Sequence, residues 1–339
     1  MLVLTIESSC DETAAAVVRN GREILSNVVA SQIDVHARFG GVVPELASRC
    51  HVESISFVIE EALEKAGVSL DEIEGIGVTR GPGLIGALLV GLSAGKAIAF
   101  ARNLPLVGLH HMEGHILSAL LEYEVPFPYL ALAVSGGHTH LYRVDGIGRY
   151  TILALTRDDA AGEAFDKVSK LLDLGYPGGV KIDRLAVEGN PASIDFPRPM
   201  KHKGLDFSFS GIKTSVRNHL VKNPVESVGQ LQDLAASFQE AVVDVLSYKT
   251  FKAAGEHQLE RIVVCGGVAC NSGLRKRMQQ LASSHGCEVF FPSAALCGDN
   301  AAMLGVAADF YLQQPGEAEF SMNAVASWPL DQVGAGAEG

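Results

Sequence analysis

The sequence lacks the cysteine spacing of a zinc ribbon or of a disulfide-stabilised domain. Its six cysteines stand at positions 10, 50, 265, 270, 287 and 297, and no two of them form a CxxC pair. This pattern excludes an all-cysteine zinc site. It predicts the reduced thiols of a cytosolic protein.

Long apolar runs and a basic leader are also missing. No unbroken apolar stretch reaches the roughly 18 residues that a membrane span needs. The nearest one, Leu84 to Phe100, contains glycines and Lys96. The first residues run directly into Glu7 and Asp11 without a basic region, which argues against a signal peptide. We therefore expect a cytoplasmic protein with no membrane partner.

An excess of positive charge is absent as well. The formal net charge is −12 and the isoelectric point is near 5.4. Free-standing nucleic-acid binders are usually basic because phosphate contacts dominate their affinity. The acidic composition therefore argues against strong tRNA or DNA binding by this chain alone, and it leaves open a local basic patch or a basic partner. Its densest basic stretch comprises Arg198, Lys201, His202 and Lys203, which is either a polyanion contact or a solvated surface.

The sequence is rich in glycine, and the glycines stand at the ends of apolar runs. This punctuation is typical of α/β proteins with tight turns after strands. The opening reads as strand, polar turn and strand, and a similar pattern starts again near residue 129. Helical spacing of apolar residues predicts helices at 44–66, 84–102, 159–173 and 230–254. The two similar halves resemble the actin-like ATPase architecture.

The string HHMEGH contains the clearest metal-binding pattern. His111 and His115 are four residues apart, so on a helix both imidazoles lie on one face and can share a metal. A third ligand must come from elsewhere. Met112 follows His111, so the string is not the HExxH motif of zinc proteases, and Glu113 points away from the histidine face. The alternative is that the two histidines have this spacing by chance on a solvent-exposed helix.

Two glycine turns could hold an anion. One is SGGHTH at 135–140, and the other is CGGVACN at 265–271, where Asn271 is expected to cap a helix that begins at Ser272. Either could equally be a plain turn. His138 and His140 could add metal ligands or lie on a solvated strand face.

Several carboxylates have both a structural and a functional interpretation. Asp11 and Glu12 are either polar turn residues or face a metal or nucleotide. Asp159 and Asp299 suit helix N-caps, and Asp299 could instead complete a His, His, Asp site. Asp166 and Lys170 have the spacing of an ion pair on one helix face.

Taken in order, many strings of this chain resemble the TsaD family, the tRNA threonylcarbamoyladenosine transferases. They cover residues 1 to about 330 and are ESSCDET, GGVVPELASR, GPGLIGALLVG, HHMEGH, VSGGHTHL, DDAAGEAFDKVSKLL, YPGG, FPRPM, DFSFSGIKT, CGGVACN and GDNAAM.

The resemblance implies an α/β, actin-like (ASKHA) fold of two domains. Each half would be a mixed sheet with helices, and a nucleotide and metal cleft would lie between them. We expect residues 1–110 with about 301–330 in one half, residues 111–300 in the other, and a disordered tail at 331–339.

The resemblance also implies the site. The metal ligands would be His111, His115 and Asp299, holding one Fe²⁺, with Zn²⁺ as an alternative. The general base is unassigned, with Asp11 and Glu12 as candidates. The substrate threonylcarbamoyl-AMP would be held by Ala133, Val134, Ser135, Gly136, Gly137, Asp166, Gly179, Asp183 and Asn271.

The implied reaction transfers the threonylcarbamoyl group to the exocyclic amine of the adenosine next to the anticodon, in tRNAs that read codons beginning with A, and releases AMP. The implied partners are tRNA, a TsaB-like paralogue and a TsaE-like ATPase, with the adenylate supplied by a TsaC-type enzyme. ATP or ADP could bind as well. The competing hypotheses are a metalloprotease, a small-molecule kinase of the same fold, and a non-enzymatic scaffold.

Overall fold

The computed structural model describes residues 1–314 and 320–333. Ten strands run through these residues: β1 Leu2–Glu7, β2 Glu12–Arg19, β3 Glu23–Ser31, β4 Gly75–Gly81, β5 Leu106–His110, β6 Tyr129–Val134, β7 Thr139–Gly146, β8 Arg149–Leu155, β9 Arg261–Cys265 and β10 Glu288–Phe290. The α-helices are α1 Ile33–Ala37, α2 Pro44–Ala66, α3 Ile85–Arg102, α4 His111–Leu117, α5 Ala161–Leu171, α6 Gly178–Ala186, α7 Ser210–Lys222, α8 Val228–Glu256, α9 Ser272–Ser284, α10 Ala294–Cys297 and α11 Gly305–Leu312.

The strands form two five-stranded sheets with the same topology. The first has the order β3-β2-β1-β4-β5, and the second, read from the other edge, has the order β8-β7-β6-β9-β10. In each sheet the first strand pairs antiparallel with the second and parallel with the fourth. Both sheets are therefore mixed, which confirms the predicted α/β class and the repeated pattern seen in the sequence.

The chain divides into two compact units. The first comprises Met1–Val125, Gly146–Tyr150 and Pro292–Gly339, and the second comprises Pro126–Asp145 and Thr151–Phe291. The sequence-based boundary differs because it assigned residues 111–125 and 292–300 to the second half. Leu117 packs with Leu304 in an apolar cluster of the first unit, which explains why α4 belongs there. The cleft between the halves stays a prediction.

In the first unit, both faces of the sheet are covered. Leu4 and Ile6 of β1 belong to a cluster with residues of α2 and α3, whereas Val3 packs with residues of α11. Alternating strand residues point to opposite faces, so this burial follows from the period of two. The sheet is thereby fixed on both sides, and its strand ends can hold side chains accurately.

Helix α3 is long and apolar enough to cross a membrane by length and composition. Its buried residues, however, include Leu88, Leu92 and Ala99, which share one helical face. Leu92 and Ala99 pack in the core cluster with residues of α2 and the sheet. The helix is therefore a core element of the first unit.

The second unit is built around α8. This helix has 29 residues, and more than half of them are buried. Strand β6 is buried at every residue. The end of β6, the turn after it, helices α5 and α6 and the N-cap of α9 carry the residues that the sequence analysis assigned to substrate.

The structure also describes the start of the predicted disordered tail. Residues Leu330–Gln332 form a 3-10 turn, and Leu330 is buried. Residues 334–339 of that tail lie outside the described residues.

Candidate active site

Helix α4 carries the predicted histidine pair. It begins directly after β5, and all seven of its residues are buried. The imidazole rings of His111 and His115 are perpendicular, with centroids 4.8 Å apart. They share a helix face, as the four-residue spacing predicts.

Asp299 faces both histidines. Its Oδ1 lies 3.0 Å from Nε2 of His115 and 3.7 Å from Nε2 of His111. One ligand atom from each of the three residues falls within 4.8 Å of the others. His115 is fully buried, whereas the Asp299 side chain is 24% exposed, so the group opens towards solvent on the carboxylate side.

Behind His111 lies a second carboxylate that the sequence analysis did not single out. Oε2 of Glu7 is 3.2 Å from Nδ1 of His111, and Oγ of Ser9 is 3.0 Å from the same nitrogen. Glu7 is fully buried and also accepts hydrogen bonds from the Ser9 backbone N–H and the Thr79 hydroxyl, both at 2.5 Å. This contact fixes the ring and leaves Nε2 of His111 directed at Asp299.

The electrostatics of this pair favour the charged forms. Burial disfavours ionisation of both groups, but the opposite charge across the contact outweighs it. The pKa of Glu7 is lowered by His111, and the Glu7 and Asp299 carboxylates raise the pKa of His111 to about 9. The carboxylates of Glu7 and Asp299 thus favour positive charge on and beside the His111 ring.

The donor set fits a metal ion. Two imidazoles and one carboxylate, with room for further ligands, form the arrangement that binds Fe²⁺ in many proteins and Zn²⁺ in others. The geometry supports this fit, because Nε2 of His111 and Nε2 of His115 both face the Asp299 carboxylate. Glu7 supplies the hydrogen bond that metal-bound histidines usually make through their second nitrogen.

His110 has a different role from its neighbour. Its Nδ1 accepts hydrogen bonds from the backbone N–H groups of Met112 and Glu113, which caps α4. Its Nε2 donates to the carbonyl of Trp328 at 2.9 Å. Burial lowers the pKa of His110 to about 4, so it is neutral at pH 7. This capping contact separates the role of His110 from that of His111. The spacing of the histidines in the sequence separated the two roles only in part.

Glu113 points away from the metal group, as predicted. Its Oε1 accepts hydrogen bonds from the hydroxyls of Tyr150 at 2.6 Å and Tyr311 at 2.9 Å, and from the Gly148 N–H at 3.1 Å. It is fully buried. A carboxyl held in this way cannot reach a metal-bound water, so α4 does not provide the base of a zinc protease.

Asp11 ends the turn between β1 and β2, and Glu12 is the first residue of β2. Asp11 is buried, and the Oε1 of Glu12 accepts a hydrogen bond from the Ser31 hydroxyl at 3.0 Å. Burial, and then the charge of Asp11, raise the pKa of Glu12 to about 9. Glu12 therefore holds its proton more tightly than an ordinary glutamate, and both residues stay candidates for the base.

In the second unit, the turn after β6 is closely approached by two neighbouring segments. Ser135 accepts a hydrogen bond from the Gly162 N–H at 3.2 Å, and a Cβ on Gly162 would lie 2.5 Å from the Ser135 carbonyl oxygen. Gly266 has a φ of +88°, and a Cβ there would lie 2.5 Å from the Val134 carbonyl oxygen. Only glycine fits at these contacts, which bring the starts of α5 and of the loop after β9 against the end of β6.

Several predicted substrate residues of this unit lie in one connected set. Asp166 of α5 accepts a hydrogen bond from the Gly178 N–H at 2.7 Å, at the start of α6. Asp183 of α6 accepts from both the N–H and the hydroxyl of Ser272. Asn271 caps α9 through the Leu274 N–H at 2.9 Å, as predicted.

The glycines among the predicted substrate residues face free space. A Cβ added to Gly136, Gly137 or Gly179 would meet nothing within 4 Å. Ala133 and Val134, in contrast, are fully buried at the end of β6. Any contact with a ligand would therefore involve their backbone or that of the following turn.

Gln239 orients Asn271, which the sequence analysis could not foresee. The Asn271 amide donates to the Gln239 oxygen at 2.6 Å, and both side chains are buried. Gln239 belongs to the middle of α8, where nothing in its local sequence suggests a special role.

One local expectation was wrong. Asp159 does not cap α5, whose N-cap is Ala160; the Asp159 carboxylate pairs with Lys167 at 2.7 Å. After Asp299, the Asn300 side-chain oxygen accepts a hydrogen bond from the Met303 N–H. Asp166 accepts a hydrogen bond from the Gly178 N–H, and the ion pair with Lys170 stays a prediction.

The basic stretch is partly used inside the protein. Arg198 and Lys201 both contact the Asp244 carboxylate of α8, at 3.1 and 2.8 Å. This supports a structural role for these two cations. His138 and His140 stack edge to face, and Nδ1 of His140 lies 2.7 Å from the Tyr142 hydroxyl.

Comparison with known proteins decides the family. The family model of TsaD, tRNA N6-adenosine threonylcarbamoyltransferase, matches residues 23–306. The chain belongs to the TsaD family. A TsaD relative from Syntrophotalea carbinolica is 66% identical over 337 residues, and one from Geobacter metallireducens is 64% identical over 335; both alignments cover 98% of each chain. Each relative carries the name tRNA N6-adenosine threonylcarbamoyltransferase.

Solved structures confirm the fold. HypF from T. kodakarensis superposes with a TM-score of 0.63 at 15% identity, over 92% of this chain and 48% of that one. Component A of the Acidaminococcus fermentans (R)-2-hydroxyglutaryl-CoA dehydratase gives 0.57 at 16% identity, over 93% of this chain and all of the other. The TsaD chain thus has the predicted actin-like (ASKHA) fold.

Proposed function

We propose that this chain transfers the threonylcarbamoyl group of threonylcarbamoyl-AMP to N6 of the adenosine adjacent to the anticodon, in tRNAs that read codons beginning with A. The observation that carries this proposal is the near-full-length identity to TsaD relatives that bear this name. The group formed by His111, His115 and Asp299 supports it, because all three positions predicted from the resemblance meet in one place.

The reaction has a simple balance. The N6 amine attacks the carbonyl carbon of the mixed anhydride, and a new C–N bond forms. The bond from that carbon to the phosphate oxygen breaks, and AMP leaves with the electron pair. The amine loses one proton. Asp11 and Glu12 are our candidates to accept it.

His111, His115 and Asp299 would hold one Fe²⁺, with Zn²⁺ as the alternative. A metal ion with open positions supplies Lewis acidity and a fixed position for substrate oxygens. Glu7 and Ser9 hold the His111 ring, and α4 is capped by His110. These contacts preorganise the ligands before the metal binds.

The adenylate would be held in the second unit. The turn at Ser135–Gly137 and the start of α6 at Gly179 have open space beside their glycines, where a ligand can approach the backbone. Asp166 and Asp183 fix the starts of α6 and α9, and Asn271 caps α9. Ala133 and Val134 contribute backbone groups at the end of β6.

We assign the wider assembly to the same proposal. The chain would act in the cytoplasm with a TsaB-like paralogue and a TsaE-like ATPase, and receive its adenylate from a TsaC-type enzyme. Its net charge of −12 supports the idea that the partners supply part of the contacts that bind tRNA. Equal tRNA affinity with and without the partners would contradict this part.

Reconstitution tests the proposal. The chain, its partners, the adenylate-forming enzyme, labelled threonine, bicarbonate, ATP and unmodified tRNA are combined, and then only this chain is omitted. We expect label in tRNA only when the chain is present. Label without the chain, or no label with partners known to be active, would refute the transferase and restore the kinase and scaffold hypotheses.

The variant Asp299→Ala tests the metal ligands in the same assay. Since Asn300 provides the local cap, Asp299→Ala should keep the melting temperature of the wild type while losing bound metal and at least 90% of the transfer rate. The matched control is Asp71→Ala, an exposed aspartate of the same unit. Full metal content and full activity in Asp299→Ala would refute the ligand assignment.

A further inference from the structure

The placement of α4 needs an explanation beyond its own sequence. The helix has seven residues, fewer than the roughly 12 that an isolated helix needs to be stable in water. It nevertheless carries two of the three proposed ligands, one turn apart. Contacts with the rest of the first unit must therefore set its position and its rotation.

Glu113 is the polar contact on the side opposite the ligands. A residue two positions along a helix is rotated by about 200°, so Glu113 points away from both His111 and His115. It binds two elements that are distant in sequence: the segment Gly148–Tyr150, and α11 through Tyr311. All three donors converge on a single oxygen.

The neighbouring contacts leave α4 little freedom to adjust. A Cβ on Gly114 would lie 2.9 Å from Leu304 and 3.1 Å from Met303, so the helix packs tightly on that side. His110 holds the first turn by linking it to the Trp328 carbonyl. The Glu113 hydrogen bonds add a further anchor on the face of α4 opposite the two histidines.

Burying a carboxyl group at position 113 costs free energy unless hydrogen bonds compensate for the lost contact with water. Glu113 is fully buried, and its Oε2 has no partner among the described residues. Burial is the largest effect on this group, and it raises the Glu113 pKa. A leucine of similar size would avoid this cost but would give up the three hydrogen bonds.

We propose that Glu113 is a positioning residue of the metal site: its bonds to Tyr150, Tyr311 and Gly148 hold α4 in the rotation at which His111 and His115 both face Asp299. The inference rests on the proposed metal site. Glu113 touches neither metal nor substrate, and it acts through the two histidines.

Titration with Co²⁺ tests this inference without an activity assay. The dissociation constant and the visible spectrum of bound Co²⁺ are measured for the wild type and for Glu113→Gln, Glu113→Leu and the double variant Tyr150→Phe/Tyr311→Phe. Tyr129→Phe is the matched control, because Tyr129 is a fully buried tyrosine of the second unit. Circular dichroism and melting temperature establish the folded fraction of each.

We expect Glu113→Gln to stay within about threefold of the wild-type affinity, since its amide oxygen can still accept from the two hydroxyls. Glu113→Leu and the double tyrosine variant should bind Co²⁺ about 10- to 100-fold more weakly and with an altered spectrum, the usual effect of losing an outer contact of a metal site. Tyr129→Phe should keep the wild-type values of both.

Two outcomes overturn the inference, and they differ from failure of the metal assignment. The first is that the double tyrosine variant folds and binds Co²⁺ with the affinity and spectrum of the wild type. This outcome can be observed even if Glu113→Leu does not fold. The second is loss of binding in Glu113→Gln equal to that in the double variant. If wild type and His115→Ala bind Co²⁺ equally, the metal site itself is wrong, and the inference falls with it.

Discussion

At the residue scale, the site depends on buried side chains that touch the proposed ligands without being ligands. Glu7 is the clearest of these, because it contacts His111 and is held by the Ser9 backbone and Thr79. Such a residue keeps a charged partner next to an imidazole in a place that water does not reach. Its contribution is to orientation and to charge.

Glu7→Gln tests this residue. The amide keeps the shape but removes the negative charge beside His111, and its NH2 group cannot accept a hydrogen bond as the replaced carboxylate oxygen does. We expect metal affinity to fall about 10- to 100-fold, as for other outer-shell changes, with the fold retained. Isothermal titration with Zn²⁺ measures the affinity. An unchanged dissociation constant would show that the charge of Glu7 is not needed.

The sequence pointed to the proposed ligands but not to the residues that hold them, and the reason is physical. His111 and His115 are local in the chain, so a helix brings them together whatever the rest of the fold does. Glu7, Ser9 and Gln239 gain their roles only through packing between segments far apart in the sequence. Asp299 was recognised from its motif, while its expected capping role belongs to Asn300.

At the element scale, the starts of helices determine how the second unit is assembled. The amphipathic spacing predicted α2 at 44–66 with its observed bounds, and Asn271 was correctly predicted to cap α9. The N-cap of α5 was wrong, because the Asp159 carboxylate pairs with Lys167 of the same helix. Local signals therefore identify elements well, whereas the partners of the polar residues at their ends are harder to predict.

Gly266 should tolerate no side chain. Its φ of +88° and the 2.5 Å approach to the Val134 carbonyl oxygen both oppose alanine. We expect Gly266→Ala to lower the free energy of unfolding by about 2–3 kcal/mol. The control Gly255→Ala, in open space on α8, should raise it by about 0.5 kcal/mol. Urea unfolding measures both, and similar values for the two variants would contradict the steric argument.

At the scale of the whole molecule, two sheets of one topology are assembled from a chain whose halves share little obvious sequence. The repeat was visible in the strand and turn pattern alone, since strand alternation and glycine turns are local signals. The division of residues between the units was not, because residues 111–125 and 292–300 join the first unit through packing.

The chain should lose stability in acid partly through Asp244. Burial opposes its ionisation, but contacts with Lys201 and Arg198 outweigh this and hold the pKa of Asp244 below its usual value. A depressed folded-state pKa adds stability above the unfolded value, near pH 4, and this stability is lost as the pH falls through the folded-state pKa. Asp244→Asn should therefore lower the free energy of unfolding by about 1–2 kcal/mol at pH 7 and by much less at pH 3.

Denaturant unfolding of the wild type and Asp244→Asn at both pH values measures this difference. The exposed Asp71, paired with Arg102 on the surface, provides the control through Asp71→Asn, which we expect to change little at either pH. A deficit in Asp244→Asn that is the same at pH 7 and pH 3 would show that ion pairing is not its source.

The segments of the first unit are separated in the chain by the second unit, and this has a consequence for synthesis on the ribosome. Val3 and Leu109 are covered by Met303, Leu304 and Ala307, which are made almost two hundred residues after Leu109. Translation runs from the amino terminus, so one face of the first sheet stays uncovered while the second unit emerges whole. Asp299 follows the whole second unit in the chain, so the nascent chain cannot bring its three proposed metal ligands together until that unit has been made.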